Sequence, residues 1–319
     1  VHHPYDSFDD SVLAFINAAA DDPHTQAIKM TMYRMSGDGL IVEALVRAAE
    51  AGKQVVVVVE LKARFDEAAN ISWARRLERA GVHVAYGFVS LKIHTKTCLV
   101  IRREEEKLTR YCHFGTGNYN ARTALLYTDI GLFTADPEFG ADLSAMFNSL
   151  TGFHVPVVYN HLVVAPADMR PRLAELIRNE AAAGAAGHNR MKMNSLVDPG
   201  MIDELYAASQ AGVRIELIIR GMCCLRPGVP GMSENISVRS VLGRYLEHTR
   251  CYWFANGEGT GNPYYLIGSA DLMSRNLDRR VEALVPVTDP MTRSKLDHII
   301  EANLADTRRA WTLDHDGSW

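Results

Sequence analysis

The sequence predicts an α/β protein made of two similar halves related by internal duplication, and three observations carry that prediction. First, His94-Thr95-Lys96, a hydrophobic run and Gly115-Thr116-Gly117-Asn118 recur as His248-Thr249-Arg250, a hydrophobic run and Gly268-Ser269-Ala270-Asp271. The histidines stand 154 positions apart and the leading glycines 153 apart. Second, LVRAAEAG over 45–52 recurs as LYAASQAG over 205–212, and an apolar run follows each, at 55–59 and 215–219. Third, strand-like runs alternate with helix-like runs through both halves, the pattern of an α/β fold.

In chain order, 28–34 reads as a strand ending at Arg34, before a turn at Gly37-Asp38-Gly39. Residues 45–52 read as a helix closed by a glycine C-cap, and 55–59 as a buried strand. A helix over 70–79 and strands over 82–86, 96–102 and 111–114 follow, with a charged turn at 103–107. Residues 151–171 fit the repeat poorly and contain Pro156 and Pro166, so the boundary is expected near 160, with domains over 1–160 and 161–319. An alanine-rich helix over 172–183 opens the second half. A strand over 190–195, the turn Asp198-Pro199-Gly200, the helix over 205–212 and a strand ending at Arg220 complete the repeat. Val238, Val241, Leu242, Tyr245 and Leu246 have i, i+3, i+4, i+7, i+8 spacing, which predicts an amphipathic helix packed on a sheet. It leads into a strand over 251–254. The glycine-rich run 256–262 has no Walker lysine and no GxGxxG, and reads as a loop.

A chain of 319 residues is long enough for two domains, and 47% hydrophobic with 23% charged residues is the balance of a soluble globular protein. No apolar run approaches the roughly 20 residues that span a bilayer, so no integral membrane segment is expected. A net charge of −4 argues against a general nucleic-acid or anionic-membrane surface. A polyanionic ligand would need a local basic pocket. The cysteines (98, 112, 223, 224 and 251) are odd in number and include a vicinal pair but no CxxC. That disfavours a zinc site or disulfide framework and suits buried small hydrophobes in a reducing cytoplasm. The chain begins at Val1 without a secretory signal, so it is expected to be a fragment.

His94 lies between Lys92 and Lys96, and in an extended segment all three side chains would share one face. Two histidines, each backed by a cation, suit attack on phosphorus, one as nucleophile and one as proton donor or acceptor. The Gly115–Asn118 turn exposes backbone N–H groups to an anion, and the Asn118 amide can orient a neighbouring histidine. Arg34, Arg64 and Arg220 stand at or just beyond strand C-terminal ends, where α/β folds bind ligands, and arginine grips phosphate with paired donors.

The stretches HHPYDSF, MTMYRMSGDGLIVEAL, VELKARFDE, KIHTKTCLV, HFGTGNYN, LYTDIGL, IRGMCCLRPG, RSVLGRYLEHTRCYWF and GSADLMSRNLDRRVE closely resemble the type 1 polyphosphate kinases. The likeness runs from His2 to Glu282 and corresponds to that family's two C-terminal catalytic domains, which implies two phospholipase D-like α/β domains. It also implies that the family's amino-terminal and head domains lie outside this chain.

The activity implied is reversible transfer of the ATP γ-phosphate to inorganic polyphosphate through a phosphohistidine, with Mg2+, by a homo-oligomer. The place implied is the cytoplasm, peripheral to the inner membrane in some members. Residue by residue, His94 matches the autophosphorylated histidine and His248 the second essential one. Tyr127 and Arg220 match nucleotide-contacting positions, while Lys96 and Asn118 belong to the phosphate-facing motif. Arg34 and Arg64 match the pair beside magnesium. A guanidinium has no lone pair for a metal, so these two are read as holding phosphate oxygens that also meet the ion. The second motif carries Arg250 and Asp271 where the first has Lys96 and Asn118, so the halves are not chemically equivalent. The alternative reading is a phospholipase D-type phosphodiesterase or nuclease.

Overall fold

The structure, a computed structural model, describes residues 1–32, 39–60, 67–87, 91–152 and 157–319, with the backbone alone for 67–70. The chain divides into two units, one of residues 1–162 with 280–283 and one of 163–279 with 284–319.

In the first unit the strand order is His2–His3, Tyr127–Thr134, Lys107–Gly115, Thr97–Glu104, Thr25–Met32, Gln54–Val59 and His83–Tyr86. The last three run parallel and the others pair antiparallel. In the second unit the order is Ala310–Thr312, Ile236–Val241, Arg214–Ile219, His188–Met193, Cys251–Phe254, Tyr264–Gly268 and the later part, Leu284 to Pro286, of the strand Arg280–Pro286. Here too a parallel trio (Ile236–Val241, Arg214–Ile219, His188–Met193) continues into antiparallel strands. The two sheets repeat one topology, as the sequence repeat predicts.

Local chemistry sets the elements. Parallel strands are covered on both faces, so they read as continuous apolar runs. Val55 to Val59 and Ile215 to Ile219 are all buried. The helices Gly39–Glu50 and Pro199–Gln210 lie against them through Ile41, Leu45 and Ala48 in one unit and Met201, Leu205 and Ala208 in the other. Each helix ends on a glycine in the left-handed region, Gly52 at φ 83° and Gly212 at φ 99°, where a Cβ would be strained. Three helices start on Asp-Pro. Asp136, Asp198 and Asp289 each accept a hydrogen bond from a first-turn N–H, and the proline that follows has no N–H left to satisfy.

One element differs from its sequence reading. The helix expected through Val238 and Leu246 is instead the strand Ile236–Val241, irregular chain over 242–245 and the two-residue strand Leu246–Glu247. Ile236, Val238 and Ser240 are buried on one face with period two, and Ile215↔Ile236 to Ile218↔Arg239 sets a parallel register. Leu242, which the helical spacing would bury, is 56% exposed. β-Branched residues beside a ready parallel edge outweigh a chance i, i+3 coincidence, and Gly243 would weaken any helix there. The cysteines behave as small hydrophobes at 98, 112 and 251, which are buried, while Cys223 is half-buried and Cys224 exposed. Burial pushes the Cys112 and Cys251 thiols up to about 12. No described helix is long and apolar enough to cross a membrane.

Candidate active site

His94 follows the two-residue strand Lys92–Ile93, which pairs in parallel with Arg280 and Val281. The N–H groups of His94 and Thr95 both donate to the Val281 carbonyl, at 2.9 and 3.0 Å. Two donors converging on one carbonyl end the regular ladder, so Lys92, His94 and Lys96 do not share one continuous strand as the sequence suggests. Strand geometry resumes at Thr97. Lys96 is buried, at 2% exposure, and its ammonium donates to the His94 carbonyl.

The same clamp delivers Glu282. Its Oε2 lies 2.8 Å from His94 Nδ1, and Glu282 is fully buried while the His94 side chain is 14% exposed. With Glu282 ionised and the ring neutral, the carboxylate only accepts, so Nδ1 carries the proton and Nε2 keeps its lone pair. Arg280 Nη1 stands 4.0 Å from the other Glu282 oxygen.

The Gly115–Asn118 turn is held from beneath. Gly115 N–H donates to Lys96 O at 2.8 Å, and Thr116 Oγ1 donates to Asp129 Oδ1 at 2.6 Å while accepting from Ile130 N–H at 2.9 Å. A Cβ on Gly117 would fall within the Asp129 carboxyl group, so glycine is required there by close approach. Asn118 Oδ1 is buried with no hydrogen-bond partner among the described residues. Flanking the turn, buried His113 and Tyr119 meet at 2.8 Å, Nδ1 to hydroxyl. Burial pushes the His113 imidazole down to about 3, so it stays neutral near pH 7. Tyr127 opens the strand Tyr127–Thr134 and is half-buried.

In the second unit a polar chain runs along one end of the sheet. Arg220 Nε donates to Asn194 Oδ1 at 2.8 Å, and the Asn194 N–H donates to Asp271 Oδ1 at 2.7 Å. Arg250 faces Asp271 through Nε and Nη2, both at 3.3 Å. Its Nη1 lies 2.8 Å from His248 O and 3.1 and 3.2 Å from the two ring nitrogens. Sheet register explains the grouping. Met193 pairs with Ile219, so Asn194 and Arg220 leave neighbouring parallel strands together, and Lys192 pairs with Cys251, next to Arg250.

Of the residues singled out by sequence, the structure brings Lys96 to His94, and Arg220 and Arg250 into the chain that ends at His248. Arg34 and Arg64 lie outside the described residues. Sequence reasoning missed Glu282 and Asn194. A signal for Glu282 was present: it follows Gly268 by the same 14 positions by which Asp129 follows Gly115. Among the described residues, no three or more His, Cys, Asp or Glu side chains group to hold a metal ion.

Comparison with known proteins bears on this arrangement. Residues 1–156 match the family described as polyphosphate kinase C-terminal domain 1, and residues 162–319 match polyphosphate kinase C-terminal domain 2. The chain belongs to the polyphosphate kinase family. Curated polyphosphate kinases of Mycobacterium avium and Parasynechococcus marenigrum are 58% and 57% identical over 322 aligned residues. All of this chain aligns in both, but it spans only 43% and 45% of those relatives' own lengths. The crystal structure of polyphosphate kinase from Porphyromonas gingivalis superposes with a TM-score of 0.91 at 38% identity, covering 100% of this chain and 48% of that one. Phosphatidylserine synthase of Haemophilus influenzae shares the fold at 12% identity and a TM-score of 0.65, covering 95% of this chain and 86% of its own. The family's fold here is a pair of phospholipase D-like α/β domains related by internal duplication.

Proposed function

We propose that the protein carrying this chain is a polyphosphate kinase that moves the γ-phosphate of ATP reversibly to inorganic polyphosphate, with residues 1–160 and 161–319 as its two catalytic domains. The observation that carries the mechanism is the 2.8 Å contact between His94 Nδ1 and buried Glu282. It favours the tautomer in which Nε2 is the nucleophile of this reading. His94 Nε2 attacks the γ-phosphorus in line. The Nε2–P bond forms as the bond from phosphorus to the bridging oxygen breaks, and ADP leaves with that electron pair. A terminal oxygen of polyphosphate then attacks the phosphohistidine, and Nε2 is released. A P–N bond keeps enough transfer potential for the reverse direction.

Phosphoryl transfer asks a protein mainly for positioning and charge neutralisation. Lys96, the Gly115–Asn118 turn and Arg220 supply these in this reading. Tyr127 contacts the nucleotide, and His248 serves the phosphate as hydrogen-bond or proton partner. Magnesium carried on the nucleotide would meet phosphate oxygens that Arg34 and Arg64 also hold in this reading. A homo-oligomer in the cytoplasm completes the proposal.

The test is to incubate the natural full-length protein with γ-labelled ATP and look for acid-labile, base-stable label. His94→Ala is expected to abolish it, and label at the wild-type level in that variant rejects His94 as nucleophile. Hydrolysis of a bis-aryl phosphodiester without ADP formation would instead support a phosphodiesterase.

A further inference from the structure

We propose that Asn194 and Asp271 are positioning residues that lock Arg220 and His248 into one rigid nucleotide-binding edge. This rests on the reading that Arg220 and His248 meet the nucleotide. The chain of contacts is continuous, from Arg220 to Asn194, Asp271, Arg250 and His248. Its middle is dry: Asn194, Asp271 and Arg250 are 5%, 6% and 4% exposed. Both of its ends, Arg220 and His248, are only half-buried. A buried ion pair is weak evidence of stability, since apolar side chains of similar volume often do as well. One that is buried in the middle and opens at both ends has the form of a device for presenting groups.

The geometry of Asp271 suits that role. Its carboxylate takes the Nε and Nη2 edge of Arg250 and leaves Nη1 against His248. Its Oδ1 also receives the Asn194 N–H, so one carboxylate fixes the end of the strand His188–Met193 and the start of Cys251–Phe254 together. Asn194 then passes that position to Arg220 through its side-chain oxygen. The first half has Lys96 and Asn118 at the matching motif positions. An amide carries no charge to clamp a cation, so the Arg250–Asp271 pair of this hub has no charged counterpart at the Lys96 and Asn118 motif positions of the first half.

The experiment measures the dissociation constant of ADP with the natural full-length protein. Asn194→Ala is expected to weaken ADP binding by about threefold or more in the wild-type background and to add almost nothing in an Arg220→Ala background, the coupling expected of residues in one network. Asp271→Asn keeps an acceptor for the Asn194 N–H and loses the charge. It is expected to weaken binding by a similar factor, and that effect should disappear in a His248→Ala background. Equal factors in both backgrounds, or no weakening, overturn the proposal. So does failure of both variants to fold where Arg220→Ala folds. A wild-type protein that binds no ADP overturns the kinase reading itself, whereas binding with independent factors overturns only the hub.

Discussion

Replacing Glu282 by Gln isolates what the buried carboxylate contributes to His94. The side chain keeps its volume, so packing in a site with no solvent exposure is preserved, but the charge facing Nδ1 at 2.8 Å is lost. A hydrogen bond to a charged group contributes about 1.5–3 kcal/mol, which converts to roughly 10- to 150-fold in rate at about 1.4 kcal/mol per decade. If the Gln amide turns its NH2 toward the ring, Nδ1 must accept and the proton moves to Nε2, which removes the nucleophile's lone pair. The corresponding Asp-to-Asn change in a serine protease triad costs about 10⁴, which bounds the effect from above. The assay is rapid-quench labelling of the full-length protein with γ-labelled ATP in a single turnover, alongside ADP affinity and melting temperature. Slower labelling with unchanged affinity is expected, because the carboxylate acts on the reacting nitrogen and not on bound nucleotide. Wild-type labelling rates in Glu282→Gln would refute the orienting role.

Two further outcomes are expected. Gly117→Ala places a Cβ within the Asp129 carboxyl group, which Thr116 holds in place, and so should destabilise the protein by about 1–3 kcal/mol in urea titration and impair labelling of His94. Full stability in that variant would mean the turn yields freely. The bidentate Arg170 contact holds the buried Asp198 carboxyl down to about 2, against the opposing effect of burial and with help from Ser274 and Met201. A depressed folded-state value means stability present above the unfolded value near 4 and lost as pH falls toward 2, worth about 2 kcal/mol. Asp198→Asn should flatten acid denaturation over that window, and an unchanged acid limb would show that the pair contributes nothing.

Much of the architecture was legible because it depends on local patterns. The valines at 55–59 and the Ile215–Ile219 run could only be buried strands between helices, and Gly52 and Gly212 mark where those helices must stop. Repetition did the rest, since two copies of one motif imply two copies of one topology. Segments whose local signals conflict were not legible in this way. Residues 236–246 satisfy a helical spacing and a strand composition at once, and only the open parallel edge beside Arg214–Ile219 decided between them.

By itself, then, the sequence determined that two histidine motifs sit on duplicated α/β halves and that their cations and turn residues differ. Spacing, periodicity and residue chemistry are properties of short stretches and survive without a fold. Only the tertiary structure decided that His94 meets a carboxylate 188 residues away, and that Asn194, lying between a strand and a turn with no motif around it, links Arg220 to Asp271. Such partners are chosen by strand register, because register determines which distant residues leave a sheet side by side.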